Sequence, residues 1–360
     1  MPVSAIDAIG PAFEHVRDQL LRRFRFGQWV RLAIVGLLAG EMGSSGSCNA
    51  NVNLPGGKIP WPVHPQNVPH TANAFLPEPW TSHPILFGSG IAVLIAAGLV
   101  LLVLLIYVSS VMRFILFDSI VAKECHIRAG WTRRKRPGFD LFVWWILFIV
   151  ASWAAILLLI GGPVAYAWAL GWFVHPGEDV LRLVLGGLAL LLVLLVFAVV
   201  AVVIQVMTKD FVVPQMALEG INAFEGWRRL WLWLKHDAGG YVGYVGMKIV
   251  LSIGASIAFA IVTGIAILVL LIPLGGAGLV AVLYGKAAGW TWNLHTVALA
   301  VVLGIIALAI LMFVAALIAV PIVVFFPAYS LYFFAPRYAQ LAALLWPAPP
   351  PTPPTPVAPA

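Results

Sequence analysis

Residues 79–112, 141–177, 183–208, 249–285 and 287–336 contain no Asp, Glu, Lys or Arg. A chain with five such stretches cannot cover itself with a water-facing surface. Soluble domains carry about 25% charged residues, whereas this one carries 10% and is 62% hydrophobic. Each stretch holds the roughly 20 apolar residues that a helix needs to cross a hydrocarbon core of about 30 Å. Lipid is therefore the expected solvent for most of the chain, and the expected fold class is all-α, a polytopic membrane helical bundle. We place spans at about 85–112, 142–165, 184–207, 245–273 and 298–322.

A sixth span is expected near the start, and it is the weakest. Only nine uncharged residues separate Arg31 from Glu41, about 14 Å of helix at 1.5 Å per residue. This segment crosses only if Phe26 to about Ser47 is helical, with Arg31 snorkelling to the interface and Glu41 near the far surface. Charge placement favours a crossing. Eighteen of the 21 basic residues fall on one side under this scheme, and only Lys58, Arg182 and Lys286 fall on the other. Such a positive-inside bias puts both termini in the cytoplasm. Several tryptophans, including Trp29, Trp80, Trp144, Trp145, Trp168, Trp172, Trp290 and Trp292, lie near the expected span ends.

Between and around the spans, three segments differ in composition. Residues 1–28 form a cytoplasmic amphipathic lead-in, with Phe13, Val16 and Leu20 expected on its apolar face and Arg17, Arg22 and Arg23 elsewhere. It does not read as an ordinary signal peptide. Residues 42–84, rich in Gly, Ser, Asn and Pro, are expected to form a long irregular external loop. Residues 341–360 are expected to be a Pro-rich disordered tail. The membrane domain covers 29–340. Cys48 and Cys125 would lie on opposite sides of the membrane, so no disulfide is implied.

Within the membrane domain, one stretch repeats. Thr208–Lys235 leaves an apolar run, meets Pro214, and becomes an amphipathic segment. Proline disfavours helix at the residue before it, so a break or kink is expected there. Asn222 and Glu225 match a capping box that starts a new interfacial helix, which presents Phe224, Trp227, Leu230, Trp231 and Leu234 and ends before Gly239. An earlier copy runs from Phe114 to Arg136. In it, Asp118 takes the place of Asp210, and Gly130-Trp131-Thr132-Arg133-Arg134 parallels Gly226-Trp227-Arg228-Arg229. A truncated copy spans Val324–Arg337, where Pro327 parallels Pro214. The expected architecture is about six spans with interfacial amphipathic elbow helices in a parallel repeat.

The acidic residue at the span end, the DFVVPxMALEG motif, the capped GWRRLW helix and the Gly-rich start of the next span resemble uncharacterised prokaryotic six-span membrane proteins. These are similar to the membrane domain that accompanies some glycerophosphodiester phosphodiesterases. The resemblance implies a fold and a prokaryotic plasma membrane. It implies no activity, because the chain has no His-Arg-Gly opening and no acidic metal ligands of the phosphodiesterase barrel.

Asp118 and Asp210 are the leading candidate site residues. They could face a shared interfacial cavity, with Glu219 nearby, and bind a cation or lipid head group. Alternatively, they pair with basic residues such as Arg113 and Lys209 and fix the elbows, since charges near a membrane are costly unless paired. Arg133, Arg134, Arg228 and Arg229, with Lys135 and Arg136, could hold anionic lipid at about 1 kcal/mol each. The histidines are scattered, and their spacing predicts no metal site. Gly275-Gly276-Ala277-Gly278 lies in a turn and is no phosphate loop. We expect no cofactor and no nucleic-acid partner. Ser252, Ser256, Ala260 and Gly264 form a small-residue seam, expected to pack within the monomer or else form a homodimer face.

No catalytic motif survives this reading. It leaves three functions: a non-enzymatic scaffold associated with lipid or a protein partner; a transporter or flippase; and an interfacial enzyme using Asp118, Asp210 and Glu219. The spans are nearly bare of polar groups at mid-membrane, which favours the first.

Overall fold

The computed structural model describes residues 4–22, 24–41, 84–172, 180–287, 289 and 294–346. These residues form helices and turns, with no strand among them. A short helix α1 (Ile9–Val16) runs into a π-turn at Arg17–Arg22 and is followed by α2 (Phe26–Leu38). The long helices are α3 (Pro84–Val121), α4 (Ile127–Ala169), α5 (Val180–Met207), α8 (Ala238–Ala287) and α9 (Leu294–Phe334). Between α5 and α8 lie a second π-turn (Thr208–Val212), α6 (Val213–Glu219) and α7 (Ala223–His236). A 3-10 turn (Ala335–Arg337) and α10 (Ala339–Leu345) follow α9.

Five helices are long and apolar enough to cross a membrane: Ala92–Val121, Ile127–Ala169, Val180–Glu219, Ala238–Pro273 and Thr296–Arg337. The protein is an all-α polytopic membrane bundle. The first apolar segment is not a sixth helix of that kind. α2 has 13 residues, about 20 Å of helix, and the chain turns at Gly40, where φ is +73°. α2 lies beside the end of α3. Gln28 Nε2 donates to the Lys123 carbonyl at 2.7 Å, and Arg113 Nη2 donates to the Ala39 carbonyl at 2.6 Å. Glu41, expected near the far surface, instead pairs with Arg113 at 3.3 Å.

The elbows are also smoother than the sequence predicts. In the first copy the chain turns at Ala122–His126, with Lys123 at φ 56°. The segment carrying Arg133 and Arg134 is then simply the start of α4, which continues through Pro137. In the central copy Pro214 breaks nothing. The π-turn before it takes up one extra residue, and the proline falls in the first turn of α6, where a missing N–H costs little. In the last copy Pro321 and Pro327 both lie inside α9. Among the described residues a separate short amphipathic helix forms only in the central copy, as α7. Asn222 caps it by accepting from the Glu225 amide at 2.9 Å. The Glu225 carboxylate turns forward to Arg228 and Arg229 instead of back to the cap. Of the apolar face expected for α7, Leu230 is buried while Phe224 and Trp231 stay exposed.

The packed core lies at one end of the bundle. Val111–Phe117 of α3, Phe211–Val213, Met216, Tyr241, Tyr244 and the stretch of α9 from Val320 to Phe334 contribute to it. Phe211 is the hub. Its ring lies 5.2 Å from Tyr241, 5.0 Å from Tyr244 and 5.2 Å from Phe334. Such pairs contribute about 0.5–1.5 kcal/mol each beyond area burial. Glycines let backbones approach here: a Cβ on Gly138 would lie 3.1 Å from the Val111 Cα, and one on Gly36 would lie 2.5 Å from a Val323 methyl. Away from this end the helices leave one another. Residues 92–105 of α3 are exposed on every side, so no other described helix of the chain covers them.

The lead-in is part of the core. Its buried face carries Ala8, Ala12, His15, Gln19 and Leu20, while Phe13 points outward. Of the apolar face expected for the lead-in, Leu20 is buried, but Phe13 is not: the small and polar side chains of Ala8, Ala12, His15 and Gln19 face the core in its place. Four side chains from α1, its π-turn and α2 meet carbonyls of the last turn of α3 and of the bend that follows it, where intrahelical partners run out. His15 Nε2 donates to Ile120 at 3.0 Å, Gln19 to Ser119 at 3.0 Å, Gln28 to Lys123, and Arg31 to Cys125 at 3.4 Å.

Some expectations fall elsewhere. The tail does not begin at 341: α10 continues to Leu345, with Leu341 buried. Residues 347–360 lie outside the described residues, as do the loop at 42–83, Arg23, Cys48, Lys58, His64, His70, His83, His175, Trp80, Trp290 and Trp292. The small-residue seam is not covered within the monomer at its far end, where a Cβ on Gly264 would meet nothing within 4 Å. Trp144 is half-buried against the core, stacked on Trp227 at 6.0 Å.

Candidate functional site

The candidate site residues gather at the packed end, on the last turns of α3, the first turns of α4, the π-turn, α6 and α7. The sequence places them there because each long apolar run ends in charge. The structure then decides which charge meets which.

Asp118 does not pair with Arg113. It accepts a two-pronged bond from Arg134: Nε to Oδ2 at 2.7 Å and Nη2 to Oδ1 at 2.6 Å. The third prong, Arg134 Nη1, donates to the Ala217 carbonyl near the end of α6 at 2.7 Å. One guanidinium thus ties α3, α4 and α6 together. The planar fork of arginine suits this; a lysine could not reproduce it.

Asp210 does not pair with Lys209. Its Oδ2 accepts from Tyr244 Oη at 2.8 Å and from Lys248 Nζ, both on α8. The two repeat copies therefore solve one problem differently. Where the first copy buries Arg134 against its aspartate, the second has Leu230, fully buried. Asp210 must find its cation on the next helix. The sequence reading missed Lys248 and Tyr244; the signal was their helical spacing of four on a Gly-rich helix start, with the hydroxyl and ammonium on one face.

Glu219 binds Arg229 and accepts from Tyr338 Oη at 2.5 Å, joining α6 and α7 to the residue just before α10. Arg229 also reaches Glu225 at 3.1 Å, and Arg228 reaches Glu225 at 2.9 Å. These bonds hold the Glu225 carboxyl below its ordinary range, with Arg229 the main cause, and raise Arg229, with Glu219 the main cause. Asp237 caps α8 by accepting from the Gly240 amide at 3.1 Å and pairs with Arg337 at 2.7 Å. Arg337 holds its carboxyl low.

Arg113 and Lys209, released from their expected partners, face a small pocket with Glu41 and Asp210. Arg133 stays exposed, beside an open cleft of about 310 Å³ that also touches Asp118, Ser119, Glu124 and His126. Arg128, Lys135 and Arg136 are exposed on the same stretch of α4. None of these four basic residues has an ion pair among the described residues. Among the described residues no group of three or more His, Cys, Asp or Glu side chains is placed to hold a metal. Burial, opposed by Ser119 and Arg31, raises the Cys125 thiol.

A family model described as a family of unknown function, DUF7544, matches residues 3–344. No curated protein and no solved structure matches the chain. The family match makes no link to the phosphodiesterase membrane domain that the sequence motifs resemble.

Proposed function

The chain belongs to DUF7544, and we propose that it works as a non-enzymatic scaffold of a prokaryotic plasma membrane, with both termini cytoplasmic, gathering anionic lipid at its charged rim. One observation carries this reading. The acidic candidates Asp118, Asp210 and Glu219 are each bound by a basic side chain that joins different helices, while Arg128, Arg133, Lys135 and Arg136 remain exposed together. Carboxylates held this way are structural ties. They are poorly placed to bind a cation or act as a general base. The exposed basic residues next to a span attract anionic head groups, at about 1 kcal/mol each.

The test is native mass spectrometry of the full chain, extracted gently from its own membrane. The parent protein should retain anionic phospholipid. The triple variant Arg133→Gln, Lys135→Gln, Arg136→Gln should lose most of it and keep zwitterionic lipid. An identical lipid set in both would overturn the reading. In vesicles carrying a labelled lipid, transfer between leaflets should match protein-free vesicles; acceleration by the protein would replace the scaffold with a flippase.

A further inference from the structure

The lead-in sorts its side chains against the rule for a helix in water. Small and polar groups face the core: Ala8, Ala12, His15 and Gln19 are each 3% exposed or less. Large apolar groups face outward: Phe13, Leu21, Phe24 and Phe26 are 61–65% exposed. A helix surrounded by water turns its large apolar side chains inward, so this arrangement calls for a second apolar phase outside. Three of the four outward groups fall between Leu21 and Phe26, and Arg22 and Arg25 stand among them.

Two observations identify that phase. The first is charge. Arg17 and Arg25 are exposed and have no ion pair among the described residues. Arg22 reaches Asp18 at 3.2 Å, yet its side chain is 67% exposed. The exposed acids Asp7 and Glu14 both precede this cluster in the chain. The second is continuity. The Phe24 ring lies 5.5 Å from Trp29, and Trp29 Nε1 donates to the Leu317 carbonyl of α9 at 2.9 Å. Leu317 belongs to a membrane-length helix, and Met312 and Phe313, about one turn before it, are exposed. The cluster thus borders the lipid-facing surface of α9.

We propose that Phe13 and the Leu21–Phe26 cluster enter the head-group boundary of an anionic leaflet, with Arg17, Arg22 and Arg25 at the phosphates. Phenylalanine and leucine beside arginine are the side chains of helices that lie in that layer, and each arginine there adds attraction to anionic lipid. The lead-in then joins two partners: its inner polar groups meet the end of α3, and its outer groups hold the membrane surface. None of the α4 rim residues takes part, so this inference and the lipid reading above can fail separately.

The experiment uses the full chain in vesicles of phosphatidylcholine and phosphatidylglycerol, with a phosphatidylcholine that carries a photoactivatable diazirine high on its acyl chain. Mass spectrometry of the parent protein should find label on Leu21–Phe26 as well as on the long helices, and less of it there when phosphatidylglycerol is omitted. No label on that stretch, or equal label in both lipid mixtures, would overturn the proposal. This measurement needs no variant, so a misfolded one cannot obscure it. Spin labels at Phe13→Cys, Leu21→Cys and Phe24→Cys, each in a Cys48→Ala, Cys125→Ala background, then report depth. Collisions with lipid-soluble oxygen should exceed those with a water-soluble nickel chelate at all three positions. Nickel in excess would put the patch in water, and few collisions with either would put it against a second copy of the chain; both outcomes overturn the inference.

Discussion

Arg134→Met removes the one side chain that bridges α3, α4 and α6. Breaking a buried ion pair from one side costs about 3–5 kcal/mol. The Asp118 side chain keeps 28% exposure, so water recovers part of that, and we expect about 2 kcal/mol from the stranded carboxylate. The Ala217 carbonyl also loses its charged donor, which adds about 1–2 kcal/mol. The expected loss is therefore about 3–4 kcal/mol. Arg134→Lys keeps the charge but not the fork, and should lose about half of that. Asp118→Asn combined with Arg134→Met should be less damaging than the two single losses added together, by about 2 kcal/mol, because no charge is left unpaired. The assay is reversible unfolding in mixed micelles with rising SDS, followed by the fluorescence of the chain's 15 tryptophans. The reasoning is refuted if Arg134→Met lies within about 0.5 kcal/mol of the parent, or if the double variant is additive within the same margin.

Three further outcomes follow from the packing and the caps. Gly138→Ala should destabilise by about 1–3 kcal/mol, because its Cβ would lie 2.6 Å from a Val111 methyl and 3.1 Å from the Val111 Cα, whereas Gly264→Ala should be neutral or slightly stabilising; melting temperatures compare the two. His15 is pushed below its ordinary value by burial first and by Lys123 second. The folded state therefore resists its protonation, and stability should fall as the pH drops below about 6.5, where the unfolded imidazole takes up a proton first. Melting scans between pH 7.5 and 5 should show this fall, with a smaller one in His15→Gln, and equal slopes would contradict it. Asn222→Ala removes the α7 cap and should cost about 1 kcal/mol, read as faster hydrogen exchange at the Glu225 amide and its neighbours.

Much of this protein is legible in one dimension. Charge-free stretches locate the five membrane-length helices because hydrocarbon admits neither bare charge nor unpaired backbone. The Asn222 cap and the end of α7 before Gly239 are local chemistry, and the sequence is enough to place both. It also shows that Asp118, Asp210 and Glu219 lie where apolar runs end.

The partners of those acids were decided only by the tertiary structure. Sequence proximity pointed Asp118 to Arg113 and Asp210 to Lys209. A neighbour one or five residues away on a helix does not face the same way, because a turn takes 3.6 residues. Arg134 reaches its acid because Gly138 lets α4 come close to α3, and Lys248 reaches Asp210 because α8 packs back against the π-turn, where Phe211 meets Tyr241 and Tyr244. The short reach of α2, the smooth passage of Pro214 and the side chains of the lead-in that cap α3 share that cause. Each depends on where a second element lies, and one helix's periodicity carries no information about that.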